Sequence, residues 1–273
     1  MAKFETKKSL GQHFLNSPVV PRLMTEAGKV KEGDLIVEIG PGTGALTKEL
    51  LATGAKVLAL EADRRAIDVL NDTFKEEIDS KQLEVTHLDA RQLDLSSLGL
   101  KDYSFKVIAN IPYYLTGQLF RTFLSGAVQP SSLVFLVQKE VGKRATVHLD
   151  RDEKESLLSL SIKAFGEPKY IKTIGKGHFN PPPKVDSAIV LVENINRERF
   201  RDLTPDDFFA ILHLGFGSKR KQLLGNLSQE YPRDFVAEVL TDLELKIDIR
   251  AEDIGIDDWI KVARKLSEGS KSG

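Results

Sequence analysis

Asn110-Ile-Pro-Tyr-Tyr114 places a side-chain amide, a proline and two aromatic rings directly after the apolar run "KVIA". An asparagine carbonyl can accept a hydrogen bond from an exocyclic amine, and the Ile111 backbone carbonyl can accept another. Such an amine on an adenine ring is a poor nucleophile, because its lone pair is delocalised into the ring. Two acceptors would pull it toward tetrahedral geometry and aim the lone pair. Pro112 biases Ile111 toward an extended conformation, which helps fix where that carbonyl points. Tyr113 offers a flat face for an extruded base, a contact worth about 1–3 kcal/mol. A purely structural reading also exists, since Asn and Pro are common in turns and tyrosines pack at rims.

A second constellation lies upstream. "VEIGPGTGALT" puts Gly40, Gly42 and Gly44 in a turn where the backbone can bend sharply and approach a ligand. By itself the loop admits a ligand-free turn or a dinucleotide site, although the third glycine comes one residue early for G-x-G-x-x-G. Glu61 follows Gly40 by 21 positions, close to the offset of roughly 20 at which a carboxylate reaches a ribose diol. Asp89 could accept from the amino group of a bound adenine, or merely cap the next helix. The joint pattern favours a nucleoside-bearing ligand. If that ligand is a sulfonium methyl donor, no general base is required, because the donor is already activated and the chain supplies proximity and in-line orientation. The absence of an obvious catalytic His or Cys fits. The five histidines are scattered without metal-ligand spacing, so no metal is expected.

The elements that must position these residues alternate in type. "DLIVEIG", "KVLALEAD", "LEVTHLDA", "SFKVIAN" and "SSLVFLVQ" read as strands, with helical patterns such as "RRAIDVLNDTFKEEI" between them. That alternation predicts an α/β fold with parallel strands and crossover helices. Glu61, Asp89 and Asn110 then share the carboxyl edge of the sheet, where open α/β sheets bind ligands. "YIKTIGK" and "SAIVLVEN" follow with only the loop "GHFNPPPKVD" between them, which permits an antiparallel hairpin edge. The expectation is seven strands, mostly parallel. From Thr204-Pro205 onward only short helices are predicted. The domains are therefore placed at 1–199 and at 200–273, the second all-helical, and the tail "SEGSKSG" is expected to be disordered.

Composition narrows the classes. There is no cysteine, which excludes disulfides and thiolate metal sites. No apolar run reaches the roughly 20 residues of a bilayer span, and the N-terminus lacks the apolar core of a secretory signal. A cytoplasmic protein with no membrane partner is expected. The formal net charge of −1 argues mildly against a polyanionic partner, although Lys7-Lys8, Lys143-Arg144 and Lys219-Arg220-Lys221 are local basic clusters.

Taken together, "KKSLGQHFL", "VEIGPGTGALT", Glu61 after "VLAL", "HLDA", "NIPYYLTGQLF", "LVQKEVGKR", "FNPPPKVDSAIV" and "GFGSKRKQLLGNL" resemble the S-adenosylmethionine-dependent rRNA adenine dimethyltransferases over nearly the whole chain. The similarity is greatest to the bacterial kasugamycin-sensitivity type. The resemblance implies a Rossmann-like methyltransferase domain and S-adenosylmethionine as the cofactor. It implies that His13, Leu15, Gly40, Gly42, Glu61, Asp89 and Asn110 line the cofactor pocket. Asn110, Ile111, Pro112 and Tyr113 would hold the target adenine, and Phe179 would face the other side of the base. Two methyl groups would go to each of two adjacent adenines near the 3′ end of small-subunit rRNA, within a late pre-ribosomal particle. A monomer is expected.

The chain departs from the family after "QKEVGKR". A glycine- and tyrosine-containing turn is usual there, and this chain has "ATVHLDRDEKESLLSL". Further on, Ser218 reads as an N-cap that sets Lys219, Arg220 and Lys221 in a first helical turn. Cations there oppose the helix dipole but suit an RNA phosphate; a solvated charged face is the bland alternative. Two competing functions share much of this pattern: a resistance-type methylase of large-subunit rRNA, and a non-catalytic ribosome assembly or transcription factor that keeps a methyltransferase-like fold.

Overall fold

Nine strands and eleven α-helices occur among residues 13–270, the part of the chain described by the computed structural model. The strands are β1 (Phe14–Leu15), β2 (Leu35–Ile39), β3 (Lys56–Glu61), β4 (Leu83–His87), β5 (Lys106–Asn110), β6 (Ser132–Gln138), β7 (Glu167–Ile174), β8 (Phe179–Asn180) and β9 (Ser187–Glu193). The helices are α1 (Val19–Ala27), α2 (Ala45–Leu51), α3 (Arg64–Thr73), α4 (Lys75–Asp79), α5 (Thr116–Ser125), α6 (Lys139–Ala145), α7 (Leu157–Lys163), α8 (Pro205–Gly215), α9 (Leu223–Leu227), α10 (Arg233–Asp242) and α11 (Ile256–Ser270).

Seven strands form one sheet in the order β4-β3-β2-β5-β6-β9-β7. Neighbours from β4 to β6 are parallel, and β9 is antiparallel to both β6 and β7. Val57–Glu61, Leu133–Val137 and Ser187–Val192 are buried throughout, as strands covered on both faces must be. The predicted seven strands and terminal hairpin are present. The last strand nevertheless inserts inside the sheet, and β7 takes the edge. Lys169, Lys172 and Thr173 of β7 are exposed, and charge at an edge discourages pairing with another chain. The strand order reverses between β2 and β5, so their carboxyl ends open a crevice at a topological switch point.

Contacts divide the chain into two units. The first comprises residues up to Lys143 together with Glu167–Ile195; the second comprises Arg144–Gly166 together with residues from Asn196 onward. The single cut expected at 199/200 therefore misses the segment 144–166. Aromatic packing explains its membership: the Phe165 ring lies 4.9 Å from that of Phe200 and 6.1 Å from that of Phe209, and Asn196 N donates to Phe165 O at 2.8 Å.

Within the second unit, Trp259 is fully buried, donates from Nε1 to Ala251 O at 3.2 Å and stacks on Phe216. The predicted start of α8 is present: Thr204 Oγ1 accepts from Asp207 N at 3.1 Å and Pro205 occupies the first turn. Two expectations need correction. The helix after Ser218 begins only at Leu223, because Lys221 N bonds back to Ser218 O and closes a turn there. Asn226 Nδ2 then staples that turn by donating to Gly215 O and Ser218 O. Lys219, Arg220 and Lys221 thus sit in the α8–α9 turn, not in a helical first turn. The supposed disordered tail is helical through Ser270, and residues 271–273 lie outside the described part. No helix among the described residues is long and apolar enough to cross a membrane.

Thr204→Ala should lower stability by roughly 0.5–2 kcal/mol through loss of the cap, and Thr204→Asp should retain most of it. Thermal denaturation of the two variants checks this, and equal loss in both would contradict the cap.

Candidate active site

At the carboxyl ends of β2, β3 and β5, just beyond the end of β4, lies a cleft of about 840 Å³, open to solvent. Its base is the glycine turn after β2. Gly40 has φ +63°, and a Cβ there would meet open space. Only glycine adopts this turn easily while leaving room for a ligand against the backbone. Gly42 has φ +58°, and a Cβ would lie 2.6 Å from the Phe14 ring. Phe14 lines the cleft as well.

Glu61 ends β3 and is 5% exposed. Its Oε1 accepts from Ala62 N and Asp63 N, each at 2.8 Å, and its Oε2 accepts from Gly42 N at 3.0 Å. The carboxylate therefore ties the glycine turn to the end of the neighbouring strand. A carboxylate offers about four lone-pair sites; three are used, and one remains on Oε2 for a ligand hydroxyl. Glu38 in β2 is its buried neighbour. Burial pushes the Glu38 carboxyl up to about 8; Glu61 adds to the rise, and the Thr47 hydroxyl opposes it by donating at 2.7 Å.

Asp89 lies two residues past β4 and lines the cleft. It also caps the short 3-10 turn Ala90–Gln92, accepting from Arg91 N at 2.9 Å, so the bland role is present. The Arg91 guanidinium binds both its oxygens and holds the carboxyl below its usual range. Arg91 is largely exposed, and such a rim pair is weak enough to rearrange around a ligand.

Asn110 ends β5, and its Nδ2 donates to His13 O at 3.0 Å. A carbonyl can only accept, so the amide nitrogen must face it, and Oδ1 is left on the other side. His13 is fixed in turn: Nδ1 is 2.8 Å from Pro181 O, which requires the proton on Nδ1. The His13 ring stacks on Tyr113, with centroids 5.8 Å apart. The Tyr113 hydroxyl is 2.7 Å from Ser187 Oγ, and burial raises its pKa, which keeps it protonated. Pro112 has φ −58° and ψ 129°.

His13, Gly40, Gly42, Glu61 and Asp89 are therefore brought together with Asn110, Ile111, Pro112 and Tyr113 around one cleft. Leu15 and Phe179 are not. They are register partners in the antiparallel β1–β8 ladder. Phe179 is 2% exposed within the main hydrophobic core, and Leu15 packs against that core. Alternation along a strand explains the error: Phe14 takes the cleft side, so Leu15 and its opposite neighbour face the core. Residues 7–12 of the N-terminal motif lie outside the described part. Sequence reasoning missed Phe14, Arg91 and the exposed Tyr114 as cleft residues. The period-2 pattern of "HFL" against "HFN" could have found the first. Lys219, Arg220 and Lys221 belong to the helical unit and are exposed.

A family model described as ribosomal RNA adenine dimethylase matches residues 3–268. A ribosomal RNA small subunit methyltransferase A of Dehalococcoides mccartyi (strain CBDB1) is 34% identical over 94% of this chain and 87% of its own. The protein of the same name from Fusobacterium nucleatum is 32% identical over 98% of this chain and 99% of its own. Among solved structures, a dimethyladenosine transferase from Plasmodium falciparum superposes with a TM-score of 0.80 at 25% identity, over 94% of this chain and 98% of that one. The 23S rRNA methyltransferase ErmE superposes with a TM-score of 0.71 at 20% identity, over 93% and 99%, a likeness of fold alone.

Buried Glu38 generates a pH dependence. Glu38 has its folded-state pKa raised from 4.5 to about 8, so the folded chain binds more protons than the unfolded chain between those values. Its contribution to stability is therefore complete below about pH 4.5 and falls as pH rises toward 8. Glu38→Gln should remove this decline, giving a flatter dependence of Tm on pH across that window than the parent chain. A parallel pair of curves would contradict it.

Proposed function

The chain belongs to the ribosomal RNA adenine dimethylase family, and from that membership we propose that it methylates the exocyclic amines of two adjacent adenines near the 3′ end of small-subunit rRNA. It is an S-adenosylmethionine-dependent methyltransferase. The cleft suits that group: an open glycine cradle at Gly40, a buried acceptor at Glu61, and apolar walls from Ile39, Leu60 and Leu88. Bound there, the donor supplies a methyl group already activated by the sulfonium charge.

The chain's own residues then have to bind, orient and exclude water. We assign the free lone pair of Glu61 to the ribose diol, Asp89 to the amino group of the cofactor's adenine, and the backbone of Gly40 and Gly42 to close approach. His13 closes this side of the cleft. Leu15 contributes through the β1–β8 ladder, and Phe179 as its buried partner, not as a second face for the base.

For the target adenine, Asn110 Oδ1 and the Ile111 carbonyl accept from the amine, Pro112 fixes the backbone, and Tyr113 gives the stacking face. The orientation of the Asn110 amide is the observation that carries this reading. Its nitrogen is committed to the His13 carbonyl, so the acceptor is set before the base arrives. That is preorganisation, and no reorientation is needed during reaction. The first unit accordingly performs the chemistry, and the helical unit contacts RNA through Lys219, Arg220 and Lys221. The substrate is small-subunit rRNA in a pre-ribosomal particle, acted on by a monomer in the cytoplasm.

The decisive experiment supplies labelled methyl donor to small and large ribosomal particles lacking the modification and maps the labelled base. Label on adjacent adenines of the small subunit is expected; label only on the large subunit would replace this reading with the resistance-type one, and no label anywhere with the non-catalytic one. Asn110→Ala should lower kcat by about 100-fold or more, by analogy with loss of one preorganised polar contact. A variant with full turnover would remove Asn110 from the mechanism. Neutralising Lys219, Arg220 and Lys221 together should weaken RNA binding and flatten its dependence on salt, with cofactor affinity unchanged. Filter binding across an ionic-strength series reads both, and an unaltered slope would exclude these cations from the interface.

A further inference from the structure

In the helical unit, the segment that departs from the family pattern forms a second cleft together with the α8–α9 turn. The cleft measures about 870 Å³ and is open to solvent. Glu155 is one of its lining residues, with its side chain 2% exposed. Oε1 accepts from Lys163 Nζ at 2.5 Å, and the same ammonium donates to Val147 O at 2.7 Å. Oε2 is buried and has no hydrogen-bond partner. A buried acceptor left unpaired is costly, and native structures carry few of them.

The lining is mixed. Arg144, Lys219, Lys221 and Arg250 are exposed, and among the described residues none of them forms an ion pair. Leu157, Leu158 and Phe216 supply apolar surface, and Glu252 is a second acidic lining residue. Phe216 is held in place by stacking on buried Trp259, with centroids 5.7 Å apart and planes at 25°.

A phosphate at Glu155 would meet a carboxylate, whereas the four exposed cations outnumber Glu252 and favour an anion elsewhere in the cleft. The lining therefore asks for a ligand that combines N–H donors, a flat apolar face and an anion. A nucleotide combines all three. Guanine presents two adjacent donors, N1–H and N2–H, on the edge that single-stranded RNA exposes when a base is splayed out. Uracil instead flanks its single N–H with two carbonyls, which a carboxylate repels.

We propose that this cleft is a second nucleotide site, which holds an extruded guanosine of the substrate RNA with its base edge on Glu155 and its phosphate among the rim cations. It rests on the reading of the chain as an RNA enzyme.

The test titrates 5′-GMP and 5′-UMP into the full chain with S-adenosylmethionine at saturation, followed by calorimetry. GMP should bind about tenfold or more tightly than UMP. Glu155→Gln should abolish that preference, because an amide presents its own N–H to the base. The exposed pair Lys219→Ala/Arg250→Ala should weaken both nucleotides without lowering Tm, so the site stays testable if the buried variant does not fold. Equal affinity for GMP and UMP, absence of GMP binding, or binding indifferent to the double variant would each overturn the proposal. Methyl transfer to small subunits is read separately. A chain that methylates but does not distinguish the nucleotides refutes this site alone; a chain that prefers GMP but does not methylate refutes the proposed function and leaves the site standing.

Discussion

Two carboxyl groups lie buried beneath the cleft, close enough for Glu61 to help raise the pKa of Glu38. Glu38 and Glu61 are both nearly inaccessible to water, where a lone charge is expensive and a pair of like charges more so. Hydrogen bonding and burial act differently on the two. Glu61 receives three backbone N–H groups, and Glu38 receives the Thr47 hydroxyl, with the Thr47 backbone also donating. At Glu38 burial outweighs these donors, so this carboxyl keeps its proton at neutral pH. The glycine turn depends on this pair. Gly42 N is held by Glu61, and Thr47 at the start of α2 is held by Glu38. The strand, the turn and the helix that frame the cleft are thus pinned by one pair of buried acids.

The second frame is the N-terminal ladder. Two residues of β1 against two of β8 make a very short pairing, too short to be stable alone. It persists because its flanks are anchored: His13 bonds to Pro181 O and receives the Asn110 amide at its own carbonyl, and Asn16 N bonds to His178 O. The ladder gives the Asn110 side chain its single orientation and closes one wall with Phe14. A segment far in sequence from β5 therefore decides which atom of Asn110 faces the cleft.

Most of the sheet was legible because buried parallel strands leave continuous apolar runs and because glycines and carboxylates at their ends recur at a readable offset. Nine of the eleven residues expected at the cofactor or the base meet in one cleft. Leu15 and Phe179 were misplaced because a motif names residues without saying which side of a two-residue strand they face. The helix start at Ser218 was misread for a similar local reason: its backbone carbonyl accepts from Lys221 N and from Asn226, eight residues on, which folds the chain into a turn first. The membership of 144–166 in the helical unit was not legible at all, since it depends on Phe165 meeting Phe200 and Phe209, contacts that no local period announces.

The net charge of −1 points away from a polyanion, yet the distribution of partners says otherwise. In the helical unit Lys154 pairs with Asp253, Lys163 with Glu155, Arg199 with Asp257, Lys261 with Asp258 and Lys265 with Asp242. Acidic residues spent in this way cancel cations that are not available to a ligand. The cations of the second cleft and the α8–α9 turn escape that cancellation among the described residues. At a screening length of about 8 Å in physiological salt, a phosphate at that rim responds to the local unpaired charges and not to the sum over the chain. A nearly neutral chain can in this way carry a locally positive surface, built where its lysines and arginines form no ion pairs with its own carboxylates among the described residues.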